Sequence, residues 1–217
     1  ARLAVSESFA ELHRQAGIED VTVMENRWQP MPCAQPRQRR PSNQPLRCCF
    51  VGGMSMHKGM AVLQSALLQA MPAAPGFELT VIDSTLNPGD QYQLSWGKTP
   101  VRFLPAIPMG EMAAFYAKHD VLLAPSIWPE SYGLVTREAL SAGLWVVASD
   151  IGALADPISH GVNGHRVPPR DAGSLAAVLE QLGADHPTPQ PLFAFKEGRP
   201  ALHQELADFY AGVLNGG

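Results

Sequence analysis

The sequence predicts an α/β fold: a Rossmann-like, doubly wound parallel sheet with helices on both faces. Three observations carry this. Short apolar runs at Arg47–Val51, Phe77–Ile82, Val101–Leu104, Val121–Ala124 and Leu144–Ala148 read as strands buried on both faces. Between them lie apolar stripes of helical period. The 19 glycines and 20 prolines among 217 residues fall without a collagen-like repeat and punctuate many short elements. Such alternation implies right-handed βαβ crossovers and ligand sites beyond the carboxyl ends of the strands.

Taken in order, Ser6 is placed to cap a helix carrying Phe9, Leu12 and Ala16 that Gly17 ends. A short strand, Val21–Met24, follows, so residues 1–30 read as an arm. Residues 31–46 read as a linker-like loop, since Arg37-Gln-Arg-Arg-Pro-Ser-Asn-Gln-Pro45 is polar, proline-bounded and aperiodic. Its three arginines are expected to be solvated rather than to hold phosphate or membrane. The core spans 47–183. It carries a helix with Leu63, Ala66, Leu67 and Ala70 on one face, and others around Met112–Ala117, Leu134–Ala142 and Ser174–Leu182. Residues 184–217 form a loop and a last helix with Leu202, Leu206, Phe209, Tyr210 and Val213 on one stripe.

A composition 46% hydrophobic and 17% charged excludes a disordered chain. The net charge of −4 argues against a nucleic-acid partner. Cys33, Cys48 and Cys49 are odd in number and lack CxxC spacing, which disfavours a disulfide scaffold or a zinc site. Cys48 and Cys49 open an apolar run and read as small buried hydrophobes in a reducing, cytoplasmic setting. No run of 18 apolar residues occurs, and the first residues make a poor signal peptide.

Two loops carry candidate chemistry. In Val51-Gly-Gly-Met-Ser-Met-His-Lys-Gly59 the glycines admit a ligand to the backbone, and Lys58 adds a cation where a helix start favours anions. The loop is neither a Walker A sequence nor GxGxxG; a phosphate loop and an ordinary tight turn both fit it. In the second loop, Pro129 puts Glu130 ahead of a helix that carries Glu138. On one straight helix those carboxylates would sit about 12 Å and about 80° apart, too far to meet on one atom. With Glu130 in a loop over the helix start, both can reach parts of one extended ligand. Gly133 at the turn lets the amides of Gly133, Leu134 and Val135 face it. For either glutamate alone the plainer reading, dipole compensation or a solvated helix carboxylate, is favoured. His57 reads as solvated, and His119, His160 and His165 as turn or surface residues without metal spacing; Trp96 and, more so, Trp128 are stacking candidates.

Three runs are more telling together: Val121-Leu-Leu-Ala-Pro-Ser126, Pro129-Glu-Ser-Tyr-Gly-Leu-Val-Thr-Arg-Glu-Ala139, and Ala142-Gly-Leu-Trp-Val-Val-Ala-Ser-Asp150. With Phe50-Val-Gly-Gly53, Lys58-Gly59 and His160-Gly-Val-Asn-Gly164 they resemble the family-four retaining glycosyltransferases, whose E-x7-E motif falls on Glu130 and Glu138. The resemblance implies a GT-B fold: two Rossmann-like domains, this chain being the donor-binding one, with an acceptor domain ahead of position 1. Residues 1–30 then resemble the crossing between domains, and the last helix the segment packing back on the other half, leaving Phe209 and Tyr210 partly exposed.

On this resemblance Lys58 binds the donor diphosphate beside Gly52 and Gly53, and Glu130 the sugar hydroxyls. The amides of Gly133, Leu134 and Val135 meet sugar and phosphate, Glu138 the ribose, and the main chain near Ile107 the base. The donor is a UDP-, GDP- or ADP-linked hexose and the acceptor a glycan or lipid-linked molecule; no metal or other cofactor is implied. The full enzyme is expected in the cytoplasm, peripheral to the membrane at most, and this half alone inactive. The chain departs from the family at Gly53, where arginine is common; losing one charge-assisted contact costs about 1.5–3 kcal/mol of phosphate binding. Asp156 stands where glutamate is usual. A nucleotide-binding module without turnover and a nucleotide-sugar epimerase are the competing readings.

Overall fold

The structure, a computed structural model, describes residues 2–31, 37–71, 76–188 and 202–215. Strand β1 (Arg2–Ala4), helix α1 (Glu7–Gln15) and β2 (Val21–Val23) form a small βαβ unit with a two-stranded parallel sheet. The core contains β3 (Leu46–Val51), α2 (Met60–Gln69), β4 (Phe77–Ile82), β5 (Tyr92–Trp96), β6 (Thr99–Leu104), α3 (Met112–Ala117) and β7 (Val121–Ala124). It continues with α4 (Leu134–Ser141), β8 (Trp145–Ser149), β9 (Gly164–Val167) and α5 (Ala172–Ala184); α6 (Leu202–Asn215) ends the described chain. The seven core strands run in the order β5-β6-β4-β3-β7-β8-β9, all parallel except β5 against β6. This is the doubly wound arrangement the sequence predicts.

Register decides which side chains share a core. Cys48 pairs with Leu79 and Val121, and these with Val101 and Trp145, so all face the side that α2 and α5 cover. Cys49, Leu122 and Val146 face the other side, under α3 and α4. The adjacent cysteines therefore lie in opposite cores, both free and buried, and burial pushes both thiols upward. Cys33 lies outside the described residues. Trp96 is also core, edge-on to Phe103 at 6.0 Å, which removes it as a stacking candidate. His119 and His165 are buried rather than superficial: a carbonyl of Phe115 takes the first ring, and the Trp145 indole donates to the second at 3.0 Å.

Two core strands lay beyond the apolar-run reading. β9 (Gly-His-Arg-Val) has no apolar run, and its pairing with β8 alone makes it a strand. β5 does alternate, Tyr92, Leu94 and Trp96 facing one way, and joins β6 through the two-residue turn Gly97-Lys98. Gly97 has φ 59°, as the first position of such a turn requires. In α6 the stripe stays largely uncovered among the described residues: Tyr210, Val213 and Leu214 are exposed and Leu206 and Phe209 half-buried. No helix among the described residues is long and apolar enough to cross a membrane.

The linker departs most from expectation. Arg37 is not solvated: its guanidinium donates to the carbonyls of Tyr116 and His119 at the end of α3, and to that of Ala142 (2.6 Å) at the end of α4. Helix ends leave carbonyls without partners, and one planar fork satisfies both ends at once. Arg39 donates to the His186 carbonyl and pairs with Asp185, while Arg40 donates to the Pro45 carbonyl and lies 3.4 Å from Asp120. Residues 37–40 form a strap, held by charges that sequence alone cannot distinguish from surface ones. Arg37→Ala is expected to lower stability by about 2–4 kcal/mol, because buried carbonyls lose a charged donor. Urea unfolding checks this; a shift below about 0.5 kcal/mol would mean that water replaces the strap at no cost.

Candidate functional site

β3 and β7 are neighbours in the sheet but first and fourth among the parallel strands in sequence, so chain order reverses between them. Loops leaving the two strands diverge there and open a crevice. The loop after β3 passes Gly52 and Gly53, makes a 3-10 turn at Met56–Lys58 and reaches Gly59. Gly59 has φ 82°, and a β-carbon on it would fall 1.8 Å from the Pro125 carbonyl oxygen. Only glycine fits both conditions. The loop after β7 is tied to the same turn: the Ile127 amide and the Ser126 hydroxyl both donate to the His57 carbonyl at 2.8 Å.

This seam brings Lys58 Nζ to 2.9 Å from Glu130 Oε2. Glu130 lies ahead of α4, in the loop where the sequence puts it, and its backbone is gripped by a third loop. The Ala153 amide donates to the Glu130 carbonyl at 2.8 Å, and a β-carbon on Gly152 would sit 2.7 Å from Glu130 backbone atoms. Arg137, buried under the loop, donates to the Tyr132 and Ala153 carbonyls and lies over the Tyr132 ring at 4.0 Å. The arm adds a fourth tie. Ser6 caps α1 by accepting from Phe9, donates to the Ser131 carbonyl at 2.6 Å, and Ser8 donates to Asp156 at 2.5 Å.

Gly133 caps α4 with φ 69°, a β-carbon there meeting Leu154 at 2.8 Å. Among the described residues no side chain caps the helix. Among the described residues the Gly133, Leu134 and Val135 amides have no acceptor, so they present an uncompensated positive helix end beside Glu130. Gly53 has φ 65°, and a β-carbon on it would lie 3.0 Å from the Ser84 hydroxyl. Glycine suits this turn: a side chain at 53 would be strained by the left-handed backbone and would press on the Ser84 hydroxyl.

Glu138 occupies a different setting. It is buried on α4, and Tyr116 of α3 donates to its Oε2 at 3.2 Å, while Oε1 has no partner among the described residues. Burial raises its pKa above the ordinary carboxyl value, with the Tyr116 hydrogen bond opposing. Ile107 follows β6, two strands or about 10 Å from β3 along the same rim. It is half-buried, packs with the α3–α4 core, and lines a cavity of about 380 Å³ beneath α3. The structure thus draws together Gly52, Gly53, Lys58, Glu130 and the α4 amides, leaves Ile107 at the far end, and sets Glu138 inside. Trp128 is exposed next to Glu130, as a stacking residue needs.

Residues that the sequence left unremarked hold the site: Tyr116, Arg137, Gly152 and Ser84. Ser84 sits in the loop after β4, where buried Asp83 accepts from the Thr85 amide and hydroxyl and fixes the turn. Its place after a strand was the available signal. Among the described residues no cluster of three His, Cys, Asp or Glu converges on a point.

A family model described as glycosyl transferases group 1 matches residues 45–185. Glycogen synthase of Mycobacterium tuberculosis (strain CDC 1551 / Oshkosh) is 29% identical over 201 residues, covering 89% of this chain and 46% of that protein. Phosphatidyl-myo-inositol mannosyltransferase of Mycobacterium leprae (strain TN) is 37% identical over 129 residues, 58% of this chain and 33% of that protein. The chain therefore spans about half the length, or less, of these relatives. Among solved structures, sucrose-phosphate synthase from Thermosynechococcus elongatus matches with a TM-score of 0.69 at 21% identity, over 99% of this chain and 58% of that one. Anabaena Alr3699/HepE in complex with UDP matches with 0.61 at 20% identity, over 84% and 54%. These structural likenesses establish the fold.

The Glu138 environment has a measurable sign. Its folded pKa lies above the unfolded one, so ionising it costs stability at pH values above the ordinary carboxyl range. Glu138→Gln keeps the Tyr116 contact and removes that cost. Urea midpoints at pH 8 should rise, and the gain should shrink as pH falls toward about 3, where the carboxyl is protonated in both states. A loss of stability at pH 8 would contradict the assignment.

Proposed function

The chain belongs to the glycosyl transferases group 1 family, and from that premise we propose that it is the donor-binding half of a retaining, GT-B-type glycosyltransferase. It takes a nucleoside-diphosphate sugar and delivers a hexose-type sugar to a glycan or lipid-linked acceptor. A second Rossmann-like domain completes the cleft and holds the acceptor. The full enzyme acts in the cytoplasm, at the inner membrane face where the acceptor is lipid-linked. These residues alone do not turn over, because half of the water-excluding cleft is supplied elsewhere.

One observation carries the reading: Lys58 and Glu130 pair at 2.9 Å at the point where strand order reverses, beside the unpaired amides that open α4. Each group suits one part of a nucleotide sugar. Departure of the diphosphate concentrates negative charge, which Lys58 and the helix-start amides stabilise. Glu130 accepts from sugar hydroxyls once Lys58 turns to the phosphates, and it needs no nucleophilic role to do so. Gly52 and Gly53 let the backbone approach the diphosphate. Glu138 accepts from the ribose through its unused oxygen, and the main chain at Ile107 meets the base about two strands away. The neighbour Alr3699/HepE was solved with UDP and with UDP-glucose, which supports a uridine nucleotide as the first donor to test.

Gly53 favours a second reading, a nucleotide-binding module without turnover, because the phosphate loop carries one cation rather than two. Calorimetry with UDP, GDP and ADP is the direct test: one should bind, and Lys58→Ala should weaken it at least about tenfold, the worth of one charge-assisted contact. No binding by any of the three defeats the proposal. Donor binding without sugar hydrolysis or transfer by the protein together with its acceptor domain would establish the second reading.

A further inference from the structure

The two edges of the core sheet are treated differently. At β9 the chain closes its own edge: His160 bridges to Gly164, the Gly161 amide donates to the Gly164 carbonyl at 2.8 Å, and Arg166 clamps the Ile158 carbonyl. At β5 nothing among the described residues covers the outer edge. Exposed edges are ordinarily blunted by lysine, proline, a bulge or a covering segment. The strand Tyr92-Gln-Leu-Ser-Trp96 has neither charge nor proline, and its register against β6 runs without a bulge. It also exposes apolar surface: Tyr92 and Leu94 are 41% and 39% exposed, and Leu68 of α2, beside Gly97, is 59% exposed.

The backbone phase of this edge can be read from its turn. Trp96 and Thr99 close the two-residue hairpin, so Trp96, Leu94 and Tyr92 direct their amides and carbonyls to β6, while Gln93 and Ser95 direct theirs outward. We propose that β5 is the contact strand of a two-fold homodimer, pairing antiparallel with β5 of a second copy and Leu94 facing Leu94 on the axis. In that register Gln93 and Ser95 of opposite copies exchange both backbone hydrogen bonds, which uses the outward groups. Tyr92 faces Trp96, and Asp90 just before the strand faces Lys98 just after it, at both ends of the ribbon. Sliding by two positions keeps the hydrogen bonds but separates Asp90 from Lys98, so the charges select the centred register. A foreign strand has no such built-in match, whereas a second copy supplies it twice by symmetry.

Sedimentation equilibrium of the purified protein from about 1 to 100 μM tests this, with circular dichroism confirming that each variant folds. The expected result is a dimer that dissociates on dilution. Leu94→Asp puts two like charges on the axis and should raise the dissociation constant at least about tenfold. Asp90→Lys, facing Lys98, should weaken pairing too, and the swap Asp90→Lys with Lys98→Asp should restore it. A monomer throughout the range overturns the proposal, as does a dimer indifferent to Leu94→Asp or a swap no tighter than Asp90→Lys alone.

Discussion

Gly59 lies so close to the Pro125 carbonyl that any β-carbon there would fall 1.8 Å from its oxygen. That approach sets the distance between the loops after β3 and β7, and with it the separation of Lys58 from Glu130. Gly152 against Glu130 and Gly133 against Leu154 repeat the device at the next loop. Where backbone meets backbone without side chains between, the position of each loop is fixed by hard contact and by hydrogen bonds such as those to the His57 and Glu130 carbonyls. Contacts of this kind hold the Lys58–Glu130 pair in place through the backbone, the preorganisation that the proposed role in charge stabilisation calls for.

The electrostatics follow from the same placement. Among the described residues the positive end of α4 has no side-chain cap, and Lys58 pairs only with Glu130, which lies just ahead of it. A fold selected for stability alone would cap the helix with a short polar side chain, as Ser6 and Asp171 do for α1 and α5. Gly133 at this cap leaves the Gly133, Leu134 and Val135 amides without an acceptor among the described residues. Glu138 is similar in kind: an acid buried on a core-facing helix, held by one phenol, costs stability at neutral pH.

Around this centre the chain uses arginines as fasteners. Arg137 ties the Glu130 loop to the loop after β8, and Arg37 joins the ends of α3 and α4, the helices that carry Tyr116 and Glu138. Arg137 thereby braces the backbone around Glu130, and Arg37 the two helices that pack Tyr116 against Glu138. The small βαβ unit is anchored to the same region through Ser6 and Tyr132, whose hydroxyl donates to the Asn26 carbonyl at 3.1 Å. A two-stranded parallel sheet has little stability of its own, and these ties supply part of what it lacks.

The sequence by itself determined the sheet, because apolar runs such as Val121–Ala124 and stripes such as Leu175, Val178, Leu179 and Leu182 are consistent only with strands and helices sharing a buried core. It also determined that Glu130 precedes a helix and that Ser6 caps one, since proline and cap chemistry act within a few residues. β9 was not legible: four residues without an apolar run become a strand only by pairing with β8. The roles of Arg37, Tyr116 and Gly152 were equally hidden, as each partner lies far away in sequence, 105 positions for Arg37 and Ala142. Polar residues look alike until the fold brings them a carbonyl or a carboxyl to meet. Local patterns fix elements through short-range sterics and periodicity; tertiary packing alone decides which charge is solvated, which is a fastener and which faces a ligand.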